Sequence, residues 1–175
     1  MKNIVTVALM LSLGVAGVDA QDWPVKMRFS GTNVATTINL QPNTVTDELH
    51  AAGDGTFGSF TFRELHADLA PSPQPPPDCS GPNFAIVSGA GVFTFRDGSL
   101  LTVTVMNGSG CVNLAAGNAA IAVQYQVAGG TGRFEGASGT LNVTWTHRVV
   151  LRSASNAPTL LVLTGEIEGT VSRQP

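Results

Sequence analysis

Two side chains in the C-terminal half of the chain have the chemistry of an acid–base site. His147 and Tyr125 each lie on the apolar face of a run in which apolar and polar residues alternate. A histidine titrates near neutral pH, and in a cleft it can act as a general acid or base. A lone inward histidine can equally be a core residue whose nitrogens are satisfied by neighbours. We treat both residues as candidate catalytic groups and leave their role open.

Two further histidines, His50 and His66, flank the strand-like stretch Phe57 to Leu65. Four acidic residues lie close to them in sequence: Asp47, Glu48, Glu64 and Asp68. Metal ligation would be the natural chemistry of such a set. However, the spacing matches no compact metal motif, and HExxH is absent from the sequence. The sequence therefore predicts a solvated polar face in this region, with no metal and no cofactor.

The stretch Gly129 to Gly139, GGTGRFEGASG, is the third candidate for chemistry. A dinucleotide-binding loop needs G-x-G-x-x-G ahead of a helix, whereas a strand-like run follows here. A P-loop needs Gly-Lys-Ser/Thr and a nucleophile elbow needs G-x-S-x-G, and neither occurs. The glycines therefore indicate a corner between two strands, since glycine adopts backbone conformations that other residues resist. We expect Phe134 and Ala137 to turn from this corner into the core.

The elements that position these residues are predicted to be strands. Three runs alternate with period two, so each has one apolar face: Ile121 to Val127, Leu141 to Leu151 and Leu161 to Val171. Asp97-Gly98 predicts a tight hairpin turn. Further strands are indicated around Phe29, around Ile38 and in Phe57 to Leu65. About eight evenly spaced antiparallel strands predict an all-β fold, a single eight-stranded up-and-down barrel, because closure removes both sheet edges.

This meander also predicts which residues are neighbours. If the glycine corner joins the first two runs, Tyr125 lies opposite Leu141. His147 is then six residues further along its strand, roughly 20 Å away at about 3.3 Å per residue. We therefore expect no direct contact between Tyr125 and His147. Trp145 is expected to face Gly165 in the next strand.

Compartment and charge limit the possible functions. Residues 1–20 have the pattern of a secretory signal peptide, which leaves residues 21–175 as one secreted or periplasmic domain without a membrane segment. The nine Lys and Arg residues form no cluster and the net charge is −3, so we expect no nucleic-acid partner. The proline-rich segment 70–79, APSPQPPPDC, is predicted to be a surface loop, because proline donates no ladder hydrogen bond. Cys79 and Cys111 are predicted to form a disulfide.

The glycine corner resembles the Gly-Gly-Thr-Gly-x-Phe-x-x-Ala-x-Gly signature of dirigent proteins and their allene-oxide-cyclase-like barrel relatives. The matching residues are Gly129, Gly130, Thr131, Gly132, Phe134, Ala137 and Gly139. The resemblance extends loosely over Phe84 to Val171, and the corner is also similar to that of many secreted bacterial proteins of unassigned role. It implies an eight-stranded antiparallel barrel whose apolar cavity houses an unsaturated or phenolic ligand. Plant members are oligomeric, so a homo-oligomer is also implied, but no catalytic residue can be carried over.

Eight inward side chains are predicted to line the barrel interior: Phe93, Phe95, Val103, Val123, Tyr125, Trp145, His147 and Leu163. Their apolar character favours the binding of a small apolar molecule. One alternative is a cyclase, an isomerase or a stereochemistry-guiding protein that acts by shaping a reactive ligand. The other is a structural or interaction protein whose interior is filled by side chains. A hollow or a filled barrel distinguishes the last hypothesis from the first two.

The predicted disulfide can be tested by counting thiols. The unfolded, unreduced protein should show no free thiol, because the bond closes a loop of about 32 residues, worth roughly 3.7 kcal/mol in the chain-entropy model. A thiol-reactive chromophore in denaturant measures this directly. Two reactive thiols per chain would contradict the prediction.

Overall fold

The chain forms a closed barrel of eight strands. The computed structural model describes residues 21–113 and 115–173. Its strands are β1 (Gln21–Ala35), β2 (Val45–Gly55), β3 (Phe60–Leu69), β4 (Asn83–Phe95), β5 (Leu100–Asn113), β6 (Asn118–Gly130), β7 (Ala137–Arg152) and β8 (Pro158–Arg173). Each strand pairs antiparallel with the next, and β8 pairs with β1. The predicted all-β, up-and-down barrel is confirmed, while the predicted signal peptide lies outside the described residues.

Strand alternation places the core inside the barrel. On β6 the residues Ile121, Val123, Tyr125 and Val127 are buried, as their period-two pattern predicts. The prediction was wrong for Leu151, which is 58% exposed. The ladder between β7 and β8 shifts register on both sides of Leu151, so that the inward alternation ends before it. Within the described ranges, no helix is long and apolar enough to cross a lipid bilayer.

The N-terminal strands differ from the prediction: the strand expected around Ile38 is absent there, and β2 (Val45–Gly55) was not predicted. Phe29 lies buried in β1, as expected, whereas Ile38 lies in the loop between β1 and β2 and is 51% exposed. The Ile38 amide donates to Thr36 Oγ1, and the Leu40 amide donates to Thr46 Oγ1. Such local side-chain hydrogen bonds compete with a strand ladder. The stretch from Phe57 becomes a strand only at Phe60, because the residues before it form the turn from β2.

The predicted turn, proline-rich loop, disulfide and cross-strand pairs are all present in the barrel. Gly98 has φ 83° in the β4–β5 turn, which explains the Asp97-Gly98 pair. Segment 70–79 lies in the loop between β3 and β4. The predicted disulfide is present and joins Cys79 in that loop to Cys111 in β5. Tyr125 pairs with Leu141 and Trp145 with Gly165, as the meander predicts.

The glycine corner closes one end of the barrel with aromatic side chains. A short 3₁₀ turn, Gly132–Phe134, joins β6 to β7 and directs Phe134 inward, where it is fully buried. The Arg133 guanidinium lies 4.8 Å from the Phe95 ring centroid and 5.0 Å from that of Phe134. We call this the aromatic end, defined by Trp23, Phe57, Phe60, Phe95 and Phe134.

The corner generates a prediction about two of its glycines. Gly132 and Gly136 both have positive φ, 60° and 69°, but a Cβ at Gly132 would approach Ser99 Oγ to 2.6 Å, whereas a Cβ at Gly136 would meet nothing within 4 Å. Gly136→Ala should therefore cost only the backbone strain, about 1 kcal/mol. Gly132→Ala should cost about 2–3 kcal/mol, because it also displaces Ser99. Urea unfolding measures both, and equal losses would contradict the role of the Ser99 contact.

Candidate functional site

The end of the barrel opposite the aromatic end contains a buried polar cluster. Its side chains come from β1, β2, β3, β6 and β7, and we call them the polar end: Asn33, Asp47, Glu64, His66, Asp68, Tyr125 and His147. The loops that follow β1, β3, β5 and β7 surround this end. Polar side chains are rarely buried together unless they bond to one another or serve a function.

Strand β3 explains how charged residues come to lie inside. Phe60 and Phe62 point inward, and the same alternation continues through Glu64 and His66, which are 2% and 1% exposed. The predicted solvated face was therefore wrong for these two residues. It holds for His50, which is exposed and contacts Glu48. The sequence already indicated this inward orientation, because Glu64 and His66 continue the every-second-residue pattern of Phe60 and Phe62 and so lie on the same face of the strand.

A hydrogen bond crosses the barrel interior at this end. The Tyr125 hydroxyl, on β6, donates to Glu64 Oε1, on β3, over 2.6 Å. Burial, reinforced by the negative charge of Glu64, raises the pKa of Tyr125 well above its usual value. Tyr125 therefore stays protonated and remains a donor at physiological pH. The candidate Tyr125 has Glu64 as its partner, which the sequence did not predict.

His66 lies between two carboxylates. Its Nδ1 is 3.5 Å from Glu64 Oε2, and its Nε2 is 3.8 Å from Asp68 Oδ1. Burial by itself would lower the pKa of His66, but the charges of Glu64, Asp68 and Asp47 outweigh it and raise the pKa to about 9. His66 is therefore a cation at neutral pH. Burial raises the pKa of Asp68 to about 7, although the attraction of His66 opposes the shift.

Asp47 completes the acidic side of the polar end. It pairs directly with His66 across the β2–β3 ladder, and its Oδ2 accepts a 2.7 Å hydrogen bond from Asn33 Nδ2. Asp47, His66 and Asp68 each offer a ligand atom, and these atoms lie within 4.8 Å of one another. The three side chains come together across two paired strands, which spacing along the chain does not show. The predicted absence of a metal stays a prediction.

Four buried atoms of the polar end have no hydrogen-bond partner among the described residues: Asn33 Oδ1, Glu64 Oε2, His66 Nδ1 and Asp68 Oδ1. An unpaired buried polar atom costs about 1–3 kcal/mol. Three of the four are acceptor oxygens. The arrangement therefore suits a group that brings hydrogen-bond donors or positive charge.

His147 contributes to this end as a neutral acceptor. Its Nε2 accepts a hydrogen bond from Trp145 Nε1 over 2.7 Å. Burial, together with the charge of His66, lowers the pKa of His147 to about 4. His147 pairs with Ala119, several residues along the β6–β7 ladder from the Tyr125 pair, so the two candidate residues are separated as expected. Their catalytic roles remain predictions.

The eight residues predicted to line the interior all point inward, and none is more than 6% exposed. They pack against one another and against neighbouring aromatic rings in the middle of the barrel. For example, the rings of Phe62 and Phe93 stack with centroids 4.1 Å apart. Their role in holding a ligand stays a prediction.

An open groove of about 920 Å³ lies outside the barrel, between the proline-rich loop and the outer faces of β6, β7 and β8. Its lining includes Pro76 and the Cys79–Cys111 disulfide on one side and small residues such as Ala120 and Thr146 on the other. The lining brings together no group of titratable side chains comparable to that of the polar end.

Comparisons with known proteins find likeness among solved structures. No family model matches the chain, and no curated protein sequence matches it. Among solved structures, the chain is similar to that of the pterocarpan synthase dirigent protein GePTS1, with a TM-score of 0.47 and 11% sequence identity, over 98% of this chain and 100% of that one. The likeness lies in the overall barrel, and no residue role is transferred from it.

The buried His147 predicts a pH dependence of stability. Its folded pKa of about 4 lies below the unfolded value of 6.5, so the unfolded chain binds a proton first as the pH falls. Stability should therefore decrease between about pH 6.5 and pH 4, by on the order of 3 kcal/mol at most. His147→Gln keeps an acceptor for Trp145 and removes the titration. Urea unfolding at pH 7 and pH 4.5 should show a smaller loss in the variant, and equal losses would contradict the assignment.

Proposed function

We propose that this protein binds a small, mostly apolar molecule whose hydroxyl head group contacts the polar end of the barrel. The observation that carries the proposal is the set of buried acceptor oxygens that make no hydrogen bond among the described residues: Asn33 Oδ1, Glu64 Oε2 and Asp68 Oδ1. A hydroxyl group supplies a donor to such oxygens, and hydrogen bonds to charged acceptors are the strong ones. The resemblance of the glycine corner to barrels with phenolic ligands agrees with this chemistry.

The surroundings of the polar end suit the apolar body of such a molecule. Leu49 pairs with Asn33 across the β1–β2 ladder, and Leu163 pairs with His147 across the β7–β8 ladder. The Trp145 ring lies 6.5 Å from that of His66. The Asp68 side chain is 16% exposed, so the molecule would reach the cluster beside it.

A second candidate function is a cyclase or isomerase acting at the same place. The specific observation is the neighbouring pair His66 and Asp68, whose pKa values are raised to about 9 and about 7. A protonated imidazole beside a carboxyl group that titrates near neutral pH can donate and accept a proton. Seclusion from water strengthens both interactions.

We also propose that the protein is exported. The Cys79–Cys111 disulfide supports this, because such bonds persist in oxidising compartments and are rare in reducing ones. The signal-like residues 1–20 agree with the same destination.

The binding proposal predicts a preference for a hydroxyl donor. 2-Naphthol should bind at least tenfold more tightly than 2-methoxynaphthalene, which has the same apolar body but no donor, as calorimetry can measure. Glu64→Gln should weaken 2-naphthol binding while Tyr125 keeps an acceptor. Glu48→Gln, on the outer face of β2, is the matched control and should bind like the unmodified protein.

Native mass spectrometry of the protein purified from its host provides a second test. A co-purified small molecule carrying a hydroxyl group is the expected result. Equal affinities for the two naphthalenes, together with no co-purified molecule, would leave the filled barrel as a structural or interaction protein and refute the binding function.

A further inference from the structure

Three side chains of metal-ligand type meet at the polar end because of how two strands pair. Asp47 on β2 is the cross-strand partner of His66 on β3, and Asp68 follows two residues later on β3. Directly paired residues in a sheet have neighbouring Cβ atoms, and residues two apart on a strand share a face. The three ligand atoms consequently lie within 4.8 Å of one another.

Neighbouring side chains hold two of these three groups in an orientation that suits coordination. Glu64 Oε2 faces His66 Nδ1, which leaves Nε2 directed toward Asp68 Oδ1. Glu64 is itself held by the Tyr125 hydroxyl. Asn33 Nδ2 holds Oδ2 of Asp47. A carboxylate on the far nitrogen of a histidine is the usual support for a metal-binding imidazole.

The charges and the burial of the cluster point to a cationic ligand. Glu64 is 2% exposed and His66 is 1% exposed, yet Glu64 Oε2 has no hydrogen-bond partner among the described residues. Asp68 Oδ1 is likewise buried and unpartnered. Three carboxyl groups thus surround one imidazole: Glu64 is buried with His66, and Asp47 and Asp68 are partly buried beside it. Buried charges of this kind are normally paired or coordinate a metal.

We propose that Asp47, His66 and Asp68 form a binding site for a divalent first-row transition-metal ion, with zinc as the representative ion. One imidazole nitrogen, from which the ion displaces a proton on binding, and two carboxylate oxygens suit zinc or manganese, whereas calcium and magnesium take oxygen ligands. Three protein ligands leave at least one coordination position for water or another molecule. The metal site shares Asp68 with the proposed small-molecule site, but it does not require that molecule, since its three ligands are all in the chain.

Zinc titration of metal-stripped protein tests the site. The protein without an affinity tag is treated with chelator, dialysed and titrated with ZnCl₂ by calorimetry. We expect one zinc ion per chain. Asp47→Asn and Asp68→Asn should each weaken binding at least tenfold, because each removes an anionic ligand. Two outer-face variants, Glu48→Gln and His50→Gln, should bind zinc like the unmodified protein.

A readout at the metal separates coordination from nonspecific binding. Co²⁺ should give ligand-field absorption bands in the unmodified protein that are lost in His66→Gln, while Ca²⁺ should not compete with zinc. Circular dichroism checks that each variant folds. Since zinc binds only the folded chain at this site, zinc should also raise the melting temperature of the unmodified protein.

Several outcomes would overturn the proposal. No binding of one zinc ion per chain would do so, as would unchanged binding in folded Asp47→Asn and Asp68→Asn proteins. Loss of binding in His50→Gln would place the ion on the outer face instead. Titration of the metal-free protein with 2-naphthol is independent of these results, so the metal site and the small-molecule site can fail separately.

Discussion

Closure of the sheet between β1 and β8 is the constraint on which the rest of the structure depends. This ladder runs from Gln21–Arg173 to Asn33–Leu161 and removes both edges of the eight-stranded sheet. An eight-stranded barrel has an interior just wide enough for side chains to fill it. Every second residue of each strand must therefore share one narrow space. The chemistry of the protein follows from which of these residues are apolar and which are not.

The two ends of the interior meet this constraint differently. At the aromatic end, the glycine corner directs Phe134 inward among Phe57 and Phe95, and Arg133 covers the rings. That end buries mainly apolar area, although Arg133 and Arg173 each have a buried Nε without a hydrogen-bond partner among the described residues. At the polar end, directional bonds such as Tyr125–Glu64 span the barrel. Three buried acceptor oxygens there make no hydrogen bond among the described residues, and these acceptors make the polar end the candidate site.

The charge state of each titratable side chain in the polar end depends on which charged groups lie next to it. The same burial that raises the pKa of Asp68 would lower that of His66, yet His66 is held cationic by the carboxylates around it. His147, nearby on β7, has no carboxylate to offset its burial and is held neutral, with Trp145 as its donor. Two histidines in one barrel thus take opposite charge states because of their neighbours rather than their exposure.

The sequence by itself determined the strands, their antiparallel order, the disulfide and the glycine corner, because these depend on local alternation, on turn residues and on a single cysteine pair. It also determined the register of the C-terminal meander, in which Tyr125 meets Leu141 and Trp145 meets Gly165. Local bonds in the first loop displaced the strand expected at Ile38, and a register shift exposed Leu151.

Only the tertiary structure decided the candidate site. Glu64 and Tyr125 are 61 residues apart in sequence and meet because the barrel closes. Asp47 and His66 meet because the register of the β2–β3 ladder places them opposite each other. Alternation along β3 turns Glu64 and His66 inward, on the same face as Phe60 and Phe62. Spacing along the chain carries no information about a contact across the lumen. The sequence therefore determined the barrel, whereas closure and register determined which of its polar residues share the interior.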